Sequence, residues 1–481
     1  MRNQNRIDGA WCDSRSGRDF VISNPADLRD VVHRYPLSSS RDVLKAVESA
    51  ARAQARWRKV PVAEKALIMR EAGRLVHAHR EQIARLITRE NGKLFSESLT
   101  EIDSTIAELE FQVGEGERQF GRANQSHKGS AWGITRLQPI GVVSVIIPWN
   151  FPFNVPFRKL IPALMAGNTA VLKPASQTAG VGELVVHILT EAGLPSDVLQ
   201  FVTGSGGELC KSLVACGPVR AVTFTGSTSV GRSIAQAAAP GFVRTQLEMG
   251  GKNPVIALAD ADLELVAEQV VVGAYSCAGQ WCTATSRLIV EERIRDALLE
   301  KILERVRNIV PGPGVDAAAT MGPVCGETQL ASVLRHIDTA NQQGARLLLG
   351  GGRIMDDLLQ HGCFVAPTIF ELDSPGLDLA REEVFGPVLA IETAKDYSHA
   401  VALANDVPYG LSSSVFTADL DRAFDFAEQI ESGVTHINMH SAYKEPQFSF
   451  GGIKESGFGL PEAGSSGIQF FQDEKTVYVK R

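Results

Sequence analysis

From residue 141 onward the chain repeats one pattern: a short apolar run rich in β-branched residues, a glycine-containing turn, then a helical stretch. The runs fall at 142–147, 170–172, 198–202, 221–224, 255–258 and 288–290. They are continuously apolar rather than alternating, so each strand is expected to be buried on both faces. Strands of that kind, separated by amphipathic helices, require a parallel sheet covered on both sides, which predicts an α/β fold. A second such series follows between about 320 and 440. Upstream, Val43, Val47, Ala50, Ala53 and Trp57 share one helical face in 41–57, and Leu67, Leu75, Ile83, Leu86 and Ile87 another in 62–90, so two helices come early. The tail from 475 to 480 alternates, with Val477 and Val479 opposite Thr476, Tyr478 and Lys480, as in a half-buried strand that pairs beyond its own domain.

The 481 residues suggest two to four domains at ~100–200 residues each. No low-complexity linker separates them, so the domains are expected to be interleaved. A formal charge of −7 without any block of Lys and Arg lacks the electrostatic footprint of a nucleic-acid binder. No run reaches the ~18 apolar residues that span a bilayer, and the polar start lacks an apolar leader, so the expectation is a cytoplasmic protein without membrane contact. Seven cysteines, at 12, 210, 216, 277, 282, 325 and 363, are odd in number and contain no C-x-x-C pair. Neither a disulfide framework nor a metal cluster is expected, and a reducing compartment fits.

In an open α/β sheet, ligands bind beyond the carboxyl ends of the strands. Three strand tips carry polar or glycine-rich sequence there: Pro148-Trp149-Asn150 after Ile147, Lys173-Pro174-Ala175-Ser176, and Thr225 through Gly231. The turn from Gly226 to Gly231 could cradle a phosphate, because glycines admit close approach and the next helix offers free amides. It is neither G-x-G-x-x-G nor a Walker loop, and a plain structural turn is an equal reading. Further on, Glu248-Met249-Gly250-Gly251 and Gly279-Gln280-Trp281-Cys282 offer a carboxylate and a thiol. Read singly, each has a bland alternative: a surface glutamate, and a cysteine packed as a small hydrophobe.

Taken together, these segments carry a resemblance. Pro148-Trp149-Asn150-Phe151-Pro152, Gly167-Asn168-Thr169, Lys173-Pro174, Phe224-Thr225-Gly226-Ser227, Leu247-Glu248-Met249-Gly250-Gly251, Gly279-Gln280-Trp281-Cys282, Glu383-Val384-Phe385-Gly386-Pro387 and Phe450-Gly451-Gly452-Ile453-Lys454 resemble, in order and approximate spacing, the motifs of the aldehyde dehydrogenase superfamily. Each motif alone is weak; eight in order are not. The resemblance implies oxidation of an aldehyde to an acid with NAD or NADP and no metal. Cys282 would add to the carbonyl, and the adduct would pass hydride to the nicotinamide. Glu248 would activate the water that hydrolyses the thioester. The Asn150 amide and the Cys282 N–H would hold the oxyanion. It implies cofactor contacts from Ile147, Trp149, Lys173, Ser176, Gly226, Ser227, Gly231, Glu383 and Phe385. It further implies a Rossmann-like cofactor domain at 1–122 and 140–247, interleaved with an α/β catalytic domain at 248–460. A small β oligomerisation arm at 123–139 and 461–481 would build a homodimer or homotetramer.

Three positions after Lys173, NAD-specific relatives commonly carry a glutamate that accepts from the adenosine 2′-hydroxyl; here Ser176 neither repels nor pairs a 2′-phosphate. Ser449 stands where proline is usual, and Gly459-Leu460-Pro461-Glu462 replaces the usual Gly-Arg-Glu. Arg158, eight positions after Asn150, lies where relatives acting on apolar aldehydes often have an aromatic residue. This resembles the succinate-semialdehyde and α-ketoglutarate-semialdehyde dehydrogenases, in which a guanidinium grips a distal carboxylate. A buried guanidinium would carry a desolvation cost that an anionic substrate offsets. The alternatives are Arg158-Lys159 as a solvated basic pair, and an aromatic aldehyde dehydrogenase with a pocket of Phe151, Phe153, Trp281 and Tyr443. A cysteine hydrolase or a catalytically silent scaffold would leave Glu248, Lys173 and Glu383 unexplained.

Overall fold

The computed structural model describes residues 1–127 and 129–480. Every apolar run becomes a strand. Leu199–Phe201, Thr169–Lys173, Val142–Ile146, Val219–Thr225 and Arg244–Glu248 lie side by side in that order, all parallel. The strand order is thus 3-2-1-4-5, that of a dinucleotide-binding sheet, and it reverses between Val142–Ile146 and Val219–Thr225. Their carboxyl ends open the crevice in which Asn150 and Gly226 stand. Antiparallel strands close both edges: the hairpin of Asn5–Ile7 with Ala10–Cys12, and Gly457–Phe458 beside Arg244–Glu248.

A second sheet runs Arg346–Leu349, Thr368–Leu372, Val388–Ala394, Arg287–Glu291, Pro254–Ala257, Ser412–Phe416 and Val434–Ile437, parallel except for the first. All residues of Val142–Ile146, Thr169–Lys173 and Arg287–Glu291 are buried, as continuous apolar strands between helical layers must be. The chain passes from the first sheet to the second at Glu248–Pro254, so the candidate base sits at the junction.

Ser40–Trp57 is capped by Ser39, whose side chain accepts from the Asp42 N–H while Asp42 reaches back to the Ser39 N–H. The single helix expected over 62–90 is instead two, Val62–Ala78 and Arg80–Asn91, broken at His79 with φ −106° and ψ 16°. A further helix, Phe95–Glu117, was not singled out from the sequence although Leu99, Ile102, Ile106, Leu109 and Val113 form an apolar stripe packed on the first core; beside it Glu101, Thr105, Glu108 and Gln112 are buried at helical spacing and face the polar site.

The third sheet joins Ala123–Gln125, Ala131–Pro139 and Gln472–Lys480, the last two antiparallel from Gln472 opposite Pro139 to Lys480 opposite Ala131. Residues 461–471, grouped with the arm on sequence grounds, do not share this sheet: Ile468, Phe470 and Phe471 are buried in the core of the first sheet. Lys128 and Arg481, within the ranges expected of the arm, lie outside the described residues.

Candidate active site

Cys282 follows a turn of unusual backbone. Cys277, Ala278 and Gly279 all have positive φ, at 51°, 54° and 68°, a conformation that costs non-glycine residues energy and is sustained only by surrounding contacts. The contacts are present. Glu97 accepts from the Cys277 N–H at 2.6 Å, the Gln280 amide donates to the Cys277 carbonyl at 3.1 Å and accepts from the Cys325 N–H at 2.8 Å, and a Cβ on Gly279 would overlap the Gly386 carbonyl. Asn253 then donates to the carbonyls of Cys282 and Ala284 at 2.8 and 2.9 Å. Among the described residues the Cys282 N–H itself makes no hydrogen bond within the protein. Burial pushes the Cys282 thiol up to about 12; the Arg158 guanidinium opposes this, and Glu383, Glu248 and Glu462 reinforce it.

Asn150 is held from beneath. Its amide donates one N–H to the Gln280 carbonyl at 3.1 Å, leaving the second for a ligand. The buried Lys93 ammonium donates to the Asn150 carbonyl and to Glu101, both at 2.7 Å, and lies 4.1 Å from the centroid of the Phe151 ring. Glu101 in turn accepts from the N–H groups of Phe153 and Asn154, which open the helix Asn154–Met165. Asn91 donates to the Trp149 carbonyl at 2.8 Å. The oxyanion candidate therefore stands on a rigid, fully paired platform.

Glu248 is buried, with Oε2 lacking any hydrogen-bond partner among the described residues. Burial holds its carboxyl well above the usual carboxylate range; the neighbouring Glu462 adds to this, and Lys159 and Arg158 oppose it. Glu462 is one of the members of the site that sequence reasoning missed, although the departure at Gly459-Leu460-Pro461-Glu462 marked its position. Lys159 donates to it at 2.6 Å and to Thr223 at 2.9 Å. Burial would raise Glu462 too, but Lys159 and Arg158 prevail and hold it below the usual range.

Arg158 and Lys159 are buried, not a solvated pair. The expected uncompensated guanidinium is absent: Arg158 donates through Nε to Glu108 at 3.2 Å, through Nη1 to Glu462 at 3.1 Å and through Nη2 to Asn154 at 2.6 Å. Lys444 donates to the same Glu108 oxygen at 3.1 Å. Cys282, Glu248, Asn150, Arg158, Lys444, Tyr443, Phe151 and Trp281 all line one cavity of about 390 Å³. Phe153 does not; it is fully buried against Phe157, ring centroids 5.1 Å apart.

A second cavity, about 180 Å³, shares Asn150, Thr225, Met249 and Cys282 with the first and opens into the crevice, with Trp149, Gly226, Ser227, Glu383 and Phe385 on its walls. Phe385 has φ 54° and meets Trp149 edge-on at 5.3 Å. Glu383 accepts from the Gly251 N–H at 3.0 Å, a Cβ on Gly250 would overlap its carboxylate, and burial pushes it up to about 7. Lys173 is buried, donates among the described residues only to its neighbour's carbonyl at 2.9 Å, and has its pKa lowered by that burial. Ser176 donates to the Gly204 carbonyl at 3.1 Å. Ser227 opens the helix Thr228–Ala238, offering its free amides. Ile147 and Gly231 lie apart from the cavity walls: Ile147 is a core residue whose N–H donates to the Lys173 carbonyl, and Gly231 is small because Met249 and Phe224 press against it. The orphaned Thr225 hydroxyl, the unspent Lys173 donors and the free helix amides suit a dinucleotide's polar groups.

A model of the aldehyde dehydrogenase family matches residues 11–477, and the chain belongs to that family. It is 41% identical over 476 residues to the alpha-ketoglutaric semialdehyde dehydrogenase of Bacillus subtilis (strain 168), covering 99% of this chain and 98% of that one. It is 35% identical to the NADP(+) succinate-semialdehyde dehydrogenase of Escherichia coli (strain K12), covering 100% and 98%. Among solved structures, the betaine aldehyde dehydrogenase of Staphylococcus aureus in complex with NAD+ superposes with a TM-score of 0.96 at 31% identity, covering 99% of this chain and 95% of that one.

Proposed function

We propose that this chain oxidises an aldehyde bearing a distal carboxylate to the corresponding acid, with NAD or NADP. The observation that carries the reading is one cavity lined by the Cys282 thiol, the Asn150 amide, the Glu248 carboxyl and the cations Arg158 and Lys444. Transfer of the Cys282 proton to solvent gives a thiolate that adds to the aldehyde carbon, and the carbonyl π-bond breaks to leave an alkoxide on oxygen. The spare Asn150 N–H and the unpaired Cys282 N–H are the donors available to it. A bound nicotinamide supplies the hydride acceptor; Lys173, Ser227, Glu383, Phe385 and Trp149 are the residues that would hold the dinucleotide. The thioester left on Cys282 needs a water deprotonated beside it. Glu248 takes that proton, and its raised pKa makes it a stronger base than an exposed carboxylate once ionised.

Absorbance of reduced nicotinamide, followed with succinate semialdehyde, α-ketoglutarate semialdehyde, hexanal and benzaldehyde, tests the reading. The semialdehydes should give the highest kcat/KM, and preference for hexanal or benzaldehyde overturns it. Phe151 and Trp281, centroids 5.8 Å apart on the cavity wall, favour an aromatic substrate as the second reading, which the benzaldehyde arm decides. Ser176 and its neighbours Ala175 and Gln177 place no acid at the strand tip, which supports use of both cofactors. The division into a cofactor domain (1–122, 140–247), a catalytic domain (248–460) and an arm, and assembly into a homodimer or homotetramer, belong to the same proposal. The exposed Tyr478 and Val479 on the edge strand Gln472–Lys480 support a further strand or subunit packing there. No helix among the described residues is long and apolar enough to cross a membrane.

A further inference from the structure

Arg158 reaches the substrate cavity already neutralised. Three of its N–H groups are spent on Glu108, Glu462 and Asn154, and its cationic face lies 5.2 Å from the centroid of the Phe450 ring. Lys159 is likewise spent on Glu462 and Thr223. The remaining cation differs. Lys444 makes one hydrogen bond among the described residues, to a Glu108 oxygen that Arg158 also uses, and lies 5.7 Å from the centroid of the same Phe450 ring, while the other Glu108 oxygen is buried with no partner among the described residues. Its side chain keeps 28% of its exposure, against 7% for Arg158. A guanidinium has five donors and an ammonium three, so each cation keeps two, and those of Lys444 stand on the less buried side chain.

The charges point the same way. Arg158, Lys159 and Lys444 face only Glu108 and Glu462, which leaves one positive charge uncompensated. Glu248, whose Oε2 has no partner among the described residues, pairs with none of the three. The two other acids on the cavity wall are engaged elsewhere: Glu101 by Lys93, and Glu97 by the N–H groups of Leu94 and Cys277. His440 is kept from protonation by burial. A ligand carrying one carboxylate would pair the cation left over in this cluster.

We propose that Lys444 receives the substrate's distal carboxylate, and that Arg158 is a positioning residue that fixes Glu108 and Glu462. The inference rests on the semialdehyde reading above and moves its specificity from the helix Asn154–Met165 to the segment following the strand Val434–Ile437. The test is the ratio of kcat/KM for α-ketoglutarate semialdehyde to that for pentanal. Lys444→Met should lower this ratio about 10- to 100-fold, the range for a lost charge-assisted hydrogen bond, with most of the loss in KM. Lys444→Gln should do the same, and Lys444→Arg should restore most of the ratio. Arg158→Met should instead lower kcat for both aldehydes, since Glu462 and Glu248 lose their support. A ratio within about twofold of the parent in Lys444→Met and Lys444→Gln, with the parent still preferring the semialdehyde, overturns the inference and leaves the substrate reading standing. A parent enzyme that prefers pentanal overturns both.

Discussion

Replacing Glu462 by glutamine changes one oxygen to an amide and removes the charge on which two buried cations depend. Lys159 is bound to Glu462 at 2.6 Å and Arg158 at 3.1 Å, with neither cation exposed to water that could take over. Breaking a buried pair by removing one partner costs about 3–5 kcal/mol. The carbonyl oxygen of the new amide keeps one acceptor for Lys159, so the lower end, about 3 kcal/mol, is expected. The same change acts on Glu248. Burial raises Glu248 and Glu462 adds to that, while Lys159 and Arg158 oppose it; with Glu462 uncharged, the opposing cations are unbalanced and the Glu248 pKa falls. Deacylation needs the carboxylate, so the limb of the pH–rate profile that rises with pH should move to lower pH in Glu462→Gln. Urea unfolding of both proteins gives the stability difference, and steady-state kcat between pH 5 and 9 gives the limb. A stability loss below about 1 kcal/mol, or a limb that stays put or moves to higher pH, refutes the reasoning.

Ser176→Glu should cut kcat/KM for NADP far more than for NAD, because it sets a carboxylate where a 2′-phosphate would lie; an unchanged ratio removes Ser176 from the adenosine ribose. Lys93→Met strands Glu101 and releases the Asn150 carbonyl, so it should cost about 3–5 kcal/mol in urea unfolding and lower kcat alike for charged and uncharged aldehydes. Lys252 is buried with its Nζ unpartnered among the described residues, and burial, reinforced by Arg287, lowers it to about 7. An unfolded lysine titrates near ~10.4. Between those values only the unfolded chain binds the proton, so stability should rise with pH across that window, and Lys252→Met should flatten the rise in urea midpoints.

The parallel-sheet architecture was legible because buried strands must be continuously apolar and the turns between them glycine-rich. The candidate nucleophile, base and oxyanion donor could be proposed because their motifs are local in sequence: Asn150, Glu248 and Cys282 each sit in a short segment of characteristic composition, and the fold brings them to one cavity. The residues that tune them could not be. Glu108, Glu462, Lys93 and Lys444 come from a helix, a β-bridge to Phe450, a loop and a distant segment, and only the fold brings them together. Each looks in the sequence like an ordinary surface charge. The Arg158 reading was incomplete in the same way: it located the guanidinium but could not supply Glu108, fifty residues earlier, or Glu462, 304 residues later. Ser227, expected from a strand tip, lines the second cavity, whereas Gly231 and Ile147 stand off its walls and are packed by their neighbours.

The central claim is a covalent route in which Cys282 carries the acyl group and Glu248 releases it. Rapid mixing of Glu248→Ala with saturating cofactor and a semialdehyde, monitored by reduced-nicotinamide absorbance, tests this most directly. The expected trace is a burst approaching one reduced cofactor per site, followed by near-zero turnover, because the hydride leaves before the base is needed. A variant that turns over steadily at the parent rate, or one that shows no burst at all, would contradict it.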